Sequence, residues 1–217
     1  NISIIDTTFL SYFTTSSNSL PYQVVLDVNF DTNDNMWVAN PYCINGNEPI
    51  HVKSASGTWS HFKSTHQNIK ISQSPISIAF DSWNRVWFSS FQAEEANLGI
   101  YPNGGISYIS FDGYFAEGKP YHYEVVKLDE SVWSLRMGKD NRLYFLTPAG
   151  LKFYDINESD NPITRQSPYP FYPNISFGSG SGIEIDYLGN VWTYSSSQGI
   201  HVLLENTSYW PDINGIR

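Results

Sequence analysis

Cysteine is almost absent from this sequence: of 217 residues, only Cys43 carries a thiol. One cysteine excludes an internal disulfide and any zinc site built from several cysteine ligands. Charged residues are also scarce, at 15%, and the 12 Lys and Arg are outnumbered by 21 Asp and Glu for a net charge of -9. The basic residues form no cluster, so the phosphate backbone of nucleic acid would be repelled and no nucleic-acid partner is expected. No apolar run approaches the ~20 residues of a membrane-spanning helix, and no signal peptide is visible. Membrane insertion by this segment is therefore not expected.

What is abundant points the other way from a helical protein. Aromatic residues reach 16%, and Ser, Asn, Tyr, Gly and Pro are plentiful, which suits an all-β chain with many turns. One motif organises it: a polar turn running into a β-branched and aromatic strand, as in Asp81-Ser82-Trp83-Asn84-Arg85-Val86-Trp87-Phe88. Variants begin at Asp31, Gly138 and Asp186, and the aromatic anchor moves from Trp37 to Trp87 to Tyr144 to Trp192, in steps of 50, 57 and 48 residues. A period of that size means a repeat architecture.

Each repeat is predicted to hold four strands, A to D. Strand A alternates bulky residues (Leu26, Val28, Phe30; Ile76, Ile78, Phe80; Trp133, Leu135, Met137; Ile183, Ile185) with small or polar ones (Asp27, Asn29; Ser77, Ala79; Ser134, Arg136; Gly182, Glu184). That period of two is a strand signature, and the small face suits a crowded position near an axis. Strand B carries the aromatic anchor, and strand C starts at or near Gly or Pro before a β-branched residue or Leu. Strand D is the least regular, read in the third repeat at residues 163–166 and in the fourth at 207–210. Four antiparallel strands per repeat make a blade, so the expected fold is an all-β β-propeller with about four full blades plus two N-terminal strands. The whole of residues 1–217 is assigned to it: a partial blade at 1–21, then blades at about 22–63, 75–127, 131–166 and 181–210. Open blade edges invite aggregation, so an incomplete propeller is expected to continue into a larger chain.

The pattern Asp-x-x-Gly/Asn-x-Val-Trp followed by Gly-Ile/Leu, clearest from Ile183 to Ile200 and again from Ile78 to Phe88, resembles the two-component regulator propeller repeat. The resemblance runs from about Val24 to Trp210. It implies a bacterial protein in a periplasmic, cell-surface or secreted location, in a sensor or a type IX secretion-associated protein. It also implies binding of a protein, glycan or peptide, without catalysis or cofactor. The alternative is a propeller enzyme of the streptogramin-lyase class, which places a catalytic His and Glu near the axis with magnesium. That motif maps onto no position here, so no catalytic residue is assigned.

In a propeller the A–B and C–D turns share one end and the B–C and D–A loops the other. The A–B turns are short and uniform, which reads as scaffold, whereas the B–C loops vary in length. Recognition concentrates in long irregular loops on a rigid frame, so Tyr42, Gln92, Glu94, Glu95 and Tyr101 are the candidate recognition residues. In the competing enzyme, Glu94 or Glu95 would act with a histidine brought in from another blade. The histidines lack metal-ligand spacing, and His51 and His201 occupy the same place in strand C of two blades, a structural pattern. Asp31, Asn33, Asp34 and Asn35 resemble a calcium loop but lack its glycine and distal glutamate, so no metal is expected.

Overall fold

Regular backbone pairing among the described residues is entirely β. The computed structural model describes residues 24–41, 48–72, 74–90, 104–126, 130–159, 162–163, 169–171 and 175–205. The strands expected at 2–5, 9–13 and 207–210, and the candidates Tyr42, Gln92, Glu94, Glu95 and Tyr101, lie outside the described residues.

In chain order, β1 (Asp27–Phe30), β2 (Met36–Ala39), β3 (Ile50–Lys53) and β4 (Trp59–Phe62) form the first sheet. A short hairpin of β5 (Thr65–His66) and β6 (Ile69–Lys70) follows. The second sheet is β7 (Pro75–Phe80), β8 (Val86–Ser90), β9 (Gly105–Phe111) and β10 (Tyr121–Val126), and the third is β11 (Ser134–Met137), β12 (Arg142–Thr147), β13 (Gly150–Asp155) and β14 (Tyr169–Phe171). The last described sheet is β15 (Gly182–Ile185), β16 (Val191–Ser195) and β17 (Gly199–Leu203). All pairings are antiparallel between sequence neighbours, and the first strands β1, β7, β11 and β15 contact one another in series. These are propeller blades arranged around their inner strands.

Two elements differ from the sequence expectation. The outer strand of the third blade is β14 rather than residues 163–166; Ile163 instead forms an isolated bridge to Ile156. Pro170 has no N–H to give, which an edge strand tolerates, and the proline-rich spelling hid the strand. The β5–β6 hairpin was also unanticipated. Its turn puts Gln67 and Asn68 at φ 48° and 66°, a two-residue hairpin geometry that short strands do not announce.

The repeated turn between first and second strands is built by one carboxylate. Asp81 Oδ1 accepts the backbone N–H of Trp83 (2.9 Å) and Arg85 (3.0 Å), while Oδ2 accepts the indole N–H of Trp87 (2.8 Å). Asp31 does the same for Asn33, Asn35 and Trp37, and Asp186 for Leu188, Asn190 and Trp192. These bonds, led by those from Trp192 and the Asn190 side chain, hold the Asp186 carboxyl down to about 2. The fourth turn position takes a left-handed backbone in every copy: Asp34, Asn84, Asn141 and Gly189 have φ of 60°, 64°, 59° and 91°, which Asn, Asp and Gly accept most readily.

The third blade replaces Asp with Gly138 and Trp with Tyr144, and the two changes are linked. The carboxylate comes from Asp140, whose Oδ1 accepts the Arg142 N–H (3.2 Å) and whose Oδ2 accepts the Tyr144 hydroxyl (3.0 Å). A Cβ on residue 138 would lie 2.4 Å from Asp140 Oδ1 and 2.9 Å from Tyr144 Cε2. Glycine is therefore required because the transferred carboxylate fills the space a side chain would use.

The apolar core lies between blades. Trp37, Ile50, Val52 and Phe62 face Ile78, Val86, Phe88 and Tyr123. Ala79, Trp87 and Tyr108 face Leu135, Leu143, Phe145 and Tyr154, and Tyr144, Leu146 and Phe153 face Ile183, Val191 and Leu203. Strands β2 and β8, covered on both sides, are buried throughout, whereas β16 alternates buried with exposed residues. Trp192 is accordingly not a core residue like its counterparts.

Asp81 is also ion-paired to Arg85 at 2.5 Å with both side chains buried. The Arg85 guanidinium donates to the carbonyls of Ser159 and Asn157 in the next blade and lies 5.1 Å from the Trp83 ring centroid. Asp81→Ala leaves that charge unpaired and is expected to cost about 3–5 kcal/mol in urea unfolding, with a much smaller loss for Asp186→Ala on the exposed blade. Gly138→Ala is expected to cost about 1–3 kcal/mol by overpacking. Combining it with Asp140→Gly should cost less than the simple sum of the two losses, because the clash and the clamp share one carboxylate.

Candidate functional site

One residue from the small face of each described inner strand joins a single polar cluster. Asp27 comes from β1, Ser77 from β7, Arg136 from β11 and Glu184 from β15. Arg136 joins them: Nη1 donates to Ser77 Oγ (2.9 Å), to the Leu135 carbonyl (2.9 Å) and to Asp27 Oδ2 (3.3 Å), while Nη2 and Nε donate to Glu184 Oε1 (3.0 and 3.2 Å). Asp27 Oδ2 also accepts the Ile78 N–H at 2.7 Å, and Ser77 Oγ bonds both the N–H and the carbonyl of Leu135 at 3.2 Å. One cation thus links all four described blades.

The chemistry of this cluster is positional. Arginine keeps its proton, and here its donors are directed at two carboxylates, a hydroxyl and a carbonyl. Asp27 is largely shielded, while the Glu184 side chain is 73% exposed, so the second pair is weakened by solvent. Among the described residues the cluster contains no histidine. Beside it lies a broad groove of about 380 Å³ lined by Arg136, Glu184, Trp192, Tyr194 and Ile200 among others.

The histidines are placed within the blades. His51 Nδ1 and His61 Nδ1 are 2.6 Å apart, so one carries the proton and the other accepts it. Burial, reinforced by the neighbouring His61, lowers His51 from 6.5 to about 3. His66 bonds the Tyr121 carbonyl (2.9 Å) and stacks on its ring, tying the β5–β6 hairpin to β10. His201 is buried at the β17 register matching His51. The Asp31 carboxylate is occupied by turn and indole N–H groups, which accounts for its calcium-like spelling without a metal.

At the opposite ends of the blades, neighbouring A–B turns are bonded together. Thr32 Oγ1 donates to Asn84 Oδ1 (3.4 Å), Ser82 Oγ to Asn141 Oδ1 (2.9 Å), and Lys139 Nζ to the Tyr187 carbonyl (2.5 Å). All A–B turns therefore share one end, and the B–C connections leave from the other. Those connections span 40–49 and 91–104 in the first two blades but only 148–149 and 196–198 in the next two. The five sequence candidates fall within the two long ones.

No family model and no curated protein matches the sequence. Solved structures do match. PorZ, an essential surface component of the type-IX secretion system of Porphyromonas gingivalis, is 13% identical with a TM-score of 0.55 over 86% of this chain and 26% of its own. The extracellular domain of a putative hybrid two-component system from B. thetaiotaomicron gives 13% identity and a TM-score of 0.56, over 87% of this chain and 23% of that one. Virginiamycin B lyase from Staphylococcus aureus gives 14% and 0.53, over 91% and 56%. At such identities the likeness establishes the propeller fold, and this chain spans only about a quarter of the first two proteins.

Neutral His51 contributes stability fully above pH 6.5, and that contribution is lost as pH falls toward 3, because the unfolded histidine takes up a proton that the folded one resists. Between pH 7.5 and 4.5 the loss is expected to be on the order of 2 kcal/mol, read as the urea midpoint. His51→Leu should flatten that part of the profile.

Proposed function

We propose that this chain is a binding or scaffold segment, of the two-component regulator propeller repeat kind, from an exported bacterial sensor or secretion-associated protein. Its partner is a protein, or a glycan or peptide ligand, captured at the end of the blades that carries the B–C connections. The observation supporting this most directly is the asymmetry of the two ends. The A–B turns are locked by repeated carboxylate clamps and bonded to one another, so they act as frame. The other end carries connections of very unequal length between strand ends that the frame fixes, the arrangement in which a rigid scaffold presents variable recognition residues.

Tyr42, Gln92, Glu94, Glu95 and Tyr101 are the proposed contact residues. Aromatic side chains at such positions stack on sugar faces or anchor a protein surface. The lyase-class enzyme is the second reading, favoured by the shared fold with virginiamycin B lyase. The axial Arg136 network weighs against it, since both described axial carboxylates are held by a permanent cation rather than by a histidine.

The test is a glycan and peptide array probed with the complete parent protein. Binding is expected, and replacing 91–104 with the two-residue Pro-Ala turn of the third blade should reduce affinity by at least tenfold while the fold is retained. A blank array would count against the binding reading. Turnover of a cyclic ester that Glu95→Gln abolishes would replace it with the enzymatic one.

A further inference from the structure

Two histidines meet on the outer strands of the first blade. Their separation in sequence has no ligand spacing, but β3 and β4 pair antiparallel with His51 directly opposite His61. Both rings therefore stand on one side of the sheet. Nδ1 of one lies 2.6 Å from Nδ1 of the other, with ring centroids 4.9 Å apart and planes inclined at 73°. The repeat accounts for only half of this pair. His201 recurs at the register of His51, but the positions matching His61 are Val125 in β10 and Pro170 in β14.

An imidazole nitrogen carries either a proton or an in-plane lone pair. Two of them aimed at each other at this distance share one proton, and once it leaves they present two lone pairs to a common point. Neutral imidazole nitrogens converging in this way are a ligand set for zinc, nickel or copper. The two rings have complementary surroundings. His51 is fully buried in the blade, and burial keeps it neutral down to about 3, so its lone pair is not lost to a second proton. His61 is exposed on the edge strand, with the Trp59 ring parallel to it at 6.4 Å, which leaves an ion a route from solvent. Zn–N bonds of about 2.0–2.1 Å at a tetrahedral angle place the nitrogens about 3.3 Å apart. A small turn of the exposed His61 ring supplies that opening while the buried ring stays in place. Among the described residues no third His, Cys, Asp or Glu joins the pair, so water completes the coordination shell.

We propose that His51 and His61 chelate a divalent transition-metal ion, Zn(II) or Cu(II), through their two Nδ1 atoms, with the shared proton released to solvent. The ion takes the place of that proton and cross-links β3 to β4 at the outer edge of the first blade. Because both ligands must be free of protons at Nδ1, uptake of the metal and release of the proton are one event.

Titration calorimetry of the complete parent protein with Zn(II), compared with its His61→Gln variant, tests this. The native protein is expected to take up one Zn(II) equivalent that His61→Gln loses or binds at least about tenfold more weakly, since even partners outside the ligand shell cost that much when removed. His122→Gln, at an exposed position of β10, should bind as the native protein does. With Cu(II) as the probe, electron paramagnetic resonance should show coupling to two imidazole nitrogens that His61→Gln reduces to one or none. Circular dichroism checks that the variant folds, and His61→Asn replaces it if Gln does not. Absence of Zn(II) uptake, or uptake equal in the native protein and His61→Gln, overturns the proposal. A Cu(II) signal that is the same in both overturns it as well, and leaves the pair as two rings sharing a proton.

Discussion

The aspartate carboxylate that closes each described A–B turn is the interaction on which the blades depend. A five-residue reversal leaves backbone N–H groups pointing into its own concavity, where strand pairing cannot reach them. One carboxylate satisfies two of them and, through its second oxygen, fixes the indole that in the first two described blades is the largest core side chain. Turn closure and core packing are thereby coupled through a single group. The third blade shows that the requirement is for the carboxylate and an aromatic donor, not for particular residues at particular positions. Asp140 supplies the charge from two residues further on, Tyr144 supplies a hydroxyl in place of an indole, and Gly138 makes room.

From that local device the array follows by repetition. The clamped aromatic ring projects from the second strand toward the next blade, so a blade cannot bury its core within itself. Stability is shared between neighbours, as in other repeat proteins, and polar links reinforce each junction. Arg85 crosses from the second blade to carbonyls of the third, and Arg136 reaches the inner strands of the other three described blades. These charges sit where strands converge and where an unsatisfied group would be costly.

Much of the fold was legible in the sequence because the repeat exposed it four times. The alternation in strand A, the turn spelling and the aromatic anchor each mark a backbone requirement, and agreement among copies separates signal from composition. The β5–β6 hairpin and the displaced β14 occur once each, so no second copy could reveal them. The axial cluster was half legible. Asp27, Ser77, Arg136 and Glu184 stood out as residues of the small face, but their convergence on one guanidinium depends on side-chain reach between strands separated by about fifty residues in sequence.

The sequence by itself determined the first three strands of each described blade, their order, the turn geometry between the first two and the side of the inner strand that is bulky, because all of these are set by residues within a few positions of one another. Tertiary structure alone decided which repeats are internal and which are terminal. Trp37, Trp87 and Trp192 are spelled alike and clamped alike, yet the first two are buried and the third is exposed. Burial is a property of the neighbouring blade, and a repeat cannot encode in its own residues whether that neighbour is present.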